Sequence, residues 1–385
     1  MQQACIKLLW LQPLRLNNAG FHIEAASDRH SRGFMIDVGL VGFGFAGRIF
    51  HAPIITAVPG LRLRAILERS GNDAAIHYPE VQVVRSVEQL LSINEVKVVI
   101  IATPNTTHHL LARQCLLAGR DVVVDKPFTT TYAEAKELVD LAKAQGRVLT
   151  VYQNARFHGD FRTIRTLIMS GNLGRIVLYE AHFDRYRLKM RPHTWREMAL
   201  PGSGLFFDLG VHLLDQAMLL FGLPEAITAD IRVERTGAVV DDAFDVVLHY
   251  PQMRALLRAG MMAIAPDLRF VVRGEHGAFV KYGSDPQEMS LKRGEIPRDK
   301  DWGREPKDNW GVLHTPNGDK VATESVETTP GDYRLFYSNL RDAILGKAAL
   351  EVNPQQMLNV MNALELAQES SRNRCTIAWR YPALR

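Results

Sequence analysis

A chain of 385 residues is longer than one hydrophobic core usually supports, so two domains are expected. Its 46 lysines and arginines stand against 42 aspartates and glutamates, a formal charge of +4 with no basic run, which argues against nucleic acid as the main partner. Cys5, Cys115 and Cys375 form no metal-ligand spacing, which disfavours a disulfide framework or structural zinc and fits a cytoplasmic protein, and no stretch approaches the roughly 18 apolar residues of a membrane span.

Residues 1–34 read apart from the rest. A short apolar patch over 6–16 is broken by Pro13 and followed by an aperiodic polar stretch, a poor match to a signal peptide. The segment is expected to be a disordered extension, or the result of an upstream start, with Met35 as the functional start. It holds four basic and two acidic residues, so half of the +4 excess lies there.

Ile36–Val41 is a nearly continuous apolar run ending at Gly42, the pattern of a strand buried on both faces of a parallel sheet. Gly42-Phe43-Gly44-Phe45-Ala46-Gly47 follows, a turn whose backbone amides and helix N-terminus can face a pyrophosphate. Such a string is weak alone. Here it ends the first strand of a βα series, and Glu68 ends the second strand 21 residues past Gly47, so dinucleotide binding is favoured over a mere packing turn or a methyltransferase loop. Pro53 stands too deep for an undisturbed first helix and predicts a kink or split.

Further strands are expected at Leu61–Leu67, Val96–Ile101, 121–124 and 148–151. Helices alternate with them, with capping-box spacing at Ser86/Gln89 and Thr131/Glu134 and terminal glycines at Gly119 and Gly146. This is the pattern of a doubly wound α/β domain over residues 35–155. Glu68 could accept hydrogen bonds from an adenosine ribose, as NAD requires. Arg69 and Ser70 offer a cation and a hydroxyl to a 2′-phosphate, so NADP is the preferred cofactor and NAD the alternative. Thr103, Pro104, Asn105 and His108 lie at the carboxyl edge of another strand and are candidates for cofactor contact, although a proline turn with Thr106 or Thr107 as helix cap reads equally well. Asp125-Lys126-Pro127 ends the next strand. The proline keeps Lys126 out of the helical region and delivers its ammonium to the cleft, where it could polarise a hydroxyl or carbonyl and touch the cofactor.

Beyond residue 155 the rhythm changes. Segments 176–186, 226–234, 243–250, 254–263 and 268–273 read as successive strands, implying a large, mostly antiparallel sheet in a second α/β domain over 156–385. One strong helix is predicted over 207–221, with Leu209, Leu213, Ala217 and Leu220 inward. On it Asp208 and His212, four apart, share a face and could act as a base and its orienting partner. A metal role is the rival reading, without a third ligand at telling spacing. Residues 284–332, rich in Gly, Pro, Asp and Lys, read as an exposed excursion, and helices over 333–344 and 355–371 close the chain.

The ordered set of the glycine loop, Thr103-Pro104-Asn105, Asp125-Lys126-Pro127 and Asp208-xxx-His212 resembles the Gfo/Idh/MocA family of NAD(P)-dependent oxidoreductases over residues 36 to 380. Through Asn154-Ala155-Arg156-Phe157, Trp195-Arg196-Glu197 and Pro201-Gly202-Ser203-Gly204 it looks most like the NADP-dependent scyllo-inositol dehydrogenase type. Asp125 stands where the family's glutamate is usual, and Ser203 replaces the middle glycine of a triple-glycine segment. The resemblance implies a Rossmann domain, a C-terminal α/β domain with an open sheet, and a homo-oligomer, dimer or tetramer, formed through that sheet. It implies hydride transfer between nicotinamide and a secondary alcohol or ketone of a cyclic polyol or sugar. His212 would be the base, Lys126 would stabilise alkoxide charge, and Asp208 would orient the imidazole or bond the substrate. Asn154, Arg156, Trp195, Arg196 and Tyr337 are expected to line the cleft, with competing structural roles: an ion pair for Arg156, core packing for Trp195 and Tyr337. A non-catalytic dinucleotide-binding regulator of the same fold is the alternative.

Overall fold

The computed structural model describes residues 35–191, 194–264 and 267–382. The expectations for residues 1–34, and for Cys5 among them, lie outside the described residues. The first sheet comprises β1 (Ile36–Val41), β2 (Leu61–Leu67), β3 (Gln82–Val84), β4 (Val96–Ile101), β5 (Asp121–Asp125) and β6 (Leu149–Tyr152), all parallel in the order β3-β2-β1-β4-β5-β6. Every residue of β1 is buried, because helices cover both faces of a parallel sheet and no side remains for polar alternation. The strand order reverses between β1 and β4, which opens a crevice at their carboxyl ends.

The second sheet has nine strands. β7 (Ile176–His182), β8 (Ala226–Arg232), β9 (Ala243–His249), β10 (Arg254–Gly260), β11 (Leu268–Gly274), β12 (Ala278–Tyr282), β13 (Gly311–Asn317), β14 (Lys320–Val326) and β15 (Ile377–Ala378) run in the order β14-β13-β12-β11-β7-β10-β9-β8-β15. Pairing is antiparallel except between β7 and β10. A parallel pair needs a long crossover, and the connection here carries helix Val211–Phe221.

Several boundaries differ from the sequence expectations. The helix expected over 207–221 is divided into a π-turn, Phe206–Gly210, and an α-helix, Val211–Phe221. The strand expected over 176–186 ends at His182, leaving an isolated bridge between Tyr186 and Met262. Segment 284–332 is not a bare excursion. It contains helix Gln287–Lys292 and the β13–β14 hairpin, whose two-residue turn, Gly318-Asp319, has φ +57° at the glycine. The predicted first helix is split as expected, into a π-turn at Gly47–His51 and an α-helix at Ala52–Ala57. Pro53 lacks an amide hydrogen and its ring crowds the carbonyl four residues back, so the regular α register cannot pass through it.

Helix Pro354–Asn373 joins the two halves. It begins with a capping box, in which Asn353 Oδ1 accepts from Gln355 N at 2.7 Å and Gln356 Oε1 accepts from Asn353 N at 3.2 Å. It packs on β8 and helix Val211–Phe221 of the second half and on helix Tyr132–Gln145 and β6 of the first. Glu365 Oε1 accepts from the Tyr132 amide at 2.7 Å, so an otherwise orphan amide at the start of a Rossmann helix is satisfied 233 residues away.

Candidate active site

The three glycines of the first turn do different work. Gly42 has φ +96°, and a Cβ there would meet Ala102 O at 2.7 Å. A Cβ on Gly47 would lie 2.0 Å from Gly42 O, so that glycine permits the helix to pack on the turn. At Gly44 a Cβ would meet nothing within 4 Å, leaving the backbone open to a ligand as a pyrophosphate would need. Phe43 is buried against Tyr78, while Phe45 is exposed, packs on Phe50 and with Ala46 lines the cleft.

Glu68 is buried at the end of β2. Its two carboxylate oxygens accept from Asp73 N and Ala74 N, each at 3.2 Å, at the start of helix Asp73–His77. Arg85 Nη1 holds the same loop through Glu68 O and Gly71 O, both at 2.8 Å. The expected ribose acceptor is thus engaged by backbone amides, whereas Arg69 and Ser70 are exposed.

Along the β4 edge, Thr103 and Thr107 hydroxyls lie 2.7 Å apart. Asn105 follows Pro104 and is buried. Its Nδ2 donates to Gly202 O at 2.5 Å, clasping the Rossmann domain to the Gly-Ser-Gly segment. His108 is buried beneath, with Nε2 2.9 Å from Thr103 O and Nδ1 2.9 Å from Pro127 O. Burial pushes its imidazole pKa down, so the neutral ring donates to one carbonyl at a time. As placed, both Asn105 and His108 hold the loops that face the crevice.

At the end of β5, Asp125 Oδ1 accepts from Lys126 N at 2.8 Å. Burial raises the Asp125 pKa, but His51 and Lys126 outweigh it and hold the carboxyl low. The Lys126–Pro127 bond is cis, and Lys126 Nζ donates to Asp208 O and Asp208 Oδ1, each at 2.7 Å. Arg196 Nε is 3.5 Å from the same Oδ1. Burial opposes ionisation of Asp208, yet Lys126 and Arg196 hold it well below the usual carboxylate range. The turn carrying Asp208 is fixed by Asp241, whose Oδ2 accepts from Phe206 N at 2.6 Å.

His212, one turn on, is not bonded to Asp208. Its Nδ1 lies 3.0 Å from Gln153 Oε1. Burial, then Lys126 and His158, push its pKa well below 6.5, so the ring is neutral at pH 7. An amide oxygen accepts, so the proton is assigned to Nδ1 and the lone pair to Nε2. The contact with the imidazole expected of Asp208 is thus made by Gln153, the residue just past β6. Sequence spacing missed it, although its place at a strand's carboxyl end was the available signal.

The cleft enclosing these groups has about 1180 Å³ of space, part of it open to solvent. It unites Phe45 and Ala46 with Lys126, Asn154, Arg196, Asp208 and His212. Arg156 and Tyr337 stand outside its lining. Arg156 forms a bidentate pair with Asp215, at 2.7 and 2.5 Å, with both side chains almost fully buried. The Tyr337 hydroxyl lies 2.6 Å from His51 Nδ1 in the core, because its ring completes an aromatic cluster with Tyr152 and Phe336. Trp195 sits under the Arg196 guanidinium at 4.6 Å and, unlike Arg196, is not part of the cleft lining. Among the described residues no group of three His, Cys, Asp or Glu side chains is placed to hold a metal ion.

A parallel sheet of order 3-2-1-4-5-6 that carries this loop and leads into an open mixed sheet is the architecture of a dinucleotide-dependent oxidoreductase, and comparison with known proteins agrees. The family profile described as "Oxidoreductase family, NAD-binding Rossmann fold" matches residues 36–153, and its C-terminal alpha/beta domain matches residues 165–378. The chain belongs to the Gfo/Idh/MocA oxidoreductase family. It is 43% identical to oxidoreductase YdgJ of Escherichia coli over 89% of this chain and 98% of that one. It is 34% identical to scyllo-inositol 2-dehydrogenase (NADP(+)) IolW of Bacillus subtilis over 89% and 95%. A solved oxidoreductase structure from Yersinia pestis superposes with a TM-score of 0.86 at 38% identity, covering 91% of this chain and 99% of that one.

Proposed function

We propose that this oxidoreductase is an NADP-dependent dehydrogenase that interconverts a secondary alcohol and a ketone on a cyclic polyol or sugar, with Lys126, Asp208 and His212 as its catalytic residues. The observation that carries the reading is the neutral His212, held by Gln153, in one cleft with the Lys126–Asp208 pair and the glycine loop. When bound, the nicotinamide supplies hydride chemistry. In the oxidative direction His212 Nε2 takes the hydroxyl proton, and the Lys126 ammonium stabilises the negative charge that grows on that oxygen. Asp208 keeps Lys126 pointed at the cleft. In the reductive direction the imidazolium returns the proton. Asn154 offers an amide to a neighbouring hydroxyl.

The dinucleotide would lie on the amides of residues 42–47, reaching Thr103 and Pro104 at the β4 edge. NADP is preferred because Glu68 is turned into a helix N-terminus and Arg69 and Ser70 are left to meet a 2′-phosphate. The name of the B. subtilis relative points the same way. We further propose a cytoplasmic homo-oligomer built through the second sheet, which light scattering of the purified protein tests. No helix among the described residues is long and apolar enough to cross a membrane.

The test is NADPH and NADH absorbance with inosose and a panel of sugar lactones and ketoses, for wild type, Lys126→Ala and His212→Ala. Each variant is expected to lose about 10²-fold or more in kcat. Binding of dinucleotide without turnover of any substrate, unchanged by both substitutions, would overturn catalysis and leave a dinucleotide-binding regulator. Arg69→Ala is expected to weaken NADP and spare NAD.

A further inference from the structure

The cleft is not electrically neutral. Five cationic side chains line it, Lys126, Arg185, Arg191, Arg196 and Lys292, against the three carboxylates of Asp125, Asp208 and Glu288. Each carboxylate is already engaged: Asp208 by Lys126, Glu288 by Lys292 at 2.5 Å, and Asp125 by the Lys126 amide. Arg185 and Arg191 form no ion pair among the described residues. Arg196 reaches only the Asp208 oxygen that Lys126 already holds.

Two neighbouring arginines show the contrast. Arg187 pairs with Glu197 at 2.7 Å and Arg235 with Asp242 at 2.8 Å, as structural arginines in a partly buried wall do. Of the three that face the cleft, Arg185 and Arg191 have no such partner among the described residues, and Arg196 shares Asp208 with Lys126. Arg185, Arg191, Arg196 and Asp208 also line a second cavity that adjoins the first and contains none of the glycine-loop residues. The excess charge therefore lies at the substrate end, apart from the place of the dinucleotide phosphates. Burial and the field of Arg191, Arg235 and Arg185 push the Arg187 guanidinium pKa down, a second sign of like charge gathered there.

We propose that the substrate carries an oxyanion, a carboxylate or a phosphate, beside its reacting carbinol, and that Arg185, Arg191 and Arg196 bind it. The proposal rests on the dehydrogenase reading and narrows its substrate class to hydroxylated acids or phosphorylated polyols. Guanidinium forks match both anions bidentately, whereas neutral hydroxyls leave the charge of the exposed Arg185 and Arg191 without a counter-ion.

The experiment compares scyllo-inositol and myo-inositol with gluconate, glucuronate and inositol monophosphate. Steady-state kcat/KM is measured at two ionic strengths, and binding to the NADP-loaded protein by calorimetry, for wild type and the double variant Arg185→Gln/Arg191→Gln. Wild type is expected to favour an anionic member by roughly tenfold or more, with the advantage falling as salt is added. The double variant is expected to lower the anionic-to-neutral ratio by a similar factor, on the order of tenfold. The carboxylates and the phosphate form separate arms and identify which anion is read. Equal or better turnover of the neutral polyols, indifferent to salt, overturns the anion site and leaves the dehydrogenase standing. Binding of an anion without turnover, lost in the double variant, keeps the anion site and sinks the dehydrogenase. Neither turnover nor binding sinks both.

Discussion

Replacing Gln153 by leucine removes the group that sets the His212 tautomer. In the native site Gln153 Oε1 accepts from Nδ1 at 3.0 Å, and His212 is only 6% exposed, so water cannot take over. An Nδ1 hydrogen left without an acceptor costs about 1–3 kcal/mol, which at 1.4 kcal/mol per decade removes roughly 5- to 150-fold of the tautomer with a free Nε2. The loss should appear in kcat more than in KM, because the substrate's other contacts remain. Gln153→Glu acts through charge instead. Oxidation needs the neutral imidazole, so its rate is present above the His212 pKa and is lost as pH falls through it. In wild type that limb lies well below pH 6.5, because burial, Lys126 and His158 depress the pKa. A carboxylate at 153 raises the pKa and moves the limb to higher pH. Under the proposed reaction the assay is the initial rate of reduced-dinucleotide formation across pH from whichever substrate of the panel is turned over fastest, with circular dichroism to show intact folds. A leucine variant within about twofold of wild type, with an unmoved limb in the glutamate variant, would refute the assignment of Gln153 as the residue that positions the base.

Gly44→Ala should leave the apo protein as stable or raise its stability by about 0.4–1 kcal/mol, yet weaken dinucleotide binding by calorimetry, since the added methyl stands where the ligand approaches. Gly47→Ala forces a Cβ toward Gly42 O and should lower stability by about 1–3 kcal/mol in urea denaturation. Arg156→Leu strands Asp215 in the core and should cost about 3–5 kcal/mol in urea denaturation; a variant as stable as wild type would deny the pair its structural role. Burial raises the Asp241 pKa from 3.8 to about 6. A carboxyl with a raised folded pKa contributes stability that is complete below pH 3.8 and is lost as pH rises through about 6. Asp241→Asn keeps an acceptor for Phe206 N and should therefore stabilise the protein by about 1–3 kcal/mol at pH 7 and by little at pH 4.

The strands of the first sheet and the glycine loop were legible because their signals are local: an unbroken apolar run, a turn that only glycine can make, a proline too deep in a helix. Lys126 was legible for the same reason, since its place at a strand end aims it at the crevice. The partners of these residues were not. Arg156 meets Asp215 across 59 residues, and Lys126 meets Asp208 across 82. No periodicity encodes such pairings. The spacing of Asp208 and His212 suggested mutual contact, but Asp208 sits in a π-turn and is drawn to the lysine, which leaves the imidazole to Gln153. The β13–β14 hairpin lay hidden because β14 is a sheet edge with no buried residue, so its hydrophobic alternation is faint. Gly318-Asp319 between two extended runs was the signal that could have revealed it.

Helix Pro354–Asn373 also has a meaning for the birth of the molecule. It supplies the Glu365 carboxylate that holds the first amide of helix Tyr132–Gln145, and the Val352 carbonyl just before it accepts from the Thr150 hydroxyl of β6 at 2.8 Å. The dinucleotide half completes its packing with residues 202 and 233 positions further along the chain. At about 5–20 residues per second, a ribosome takes roughly 10 to 45 s to travel from the end of the earlier helix to the end of the later one. Throughout that interval one flank of the nascent Rossmann sheet stands uncovered, and it closes only once the C-terminal helix has emerged and turned back upon it.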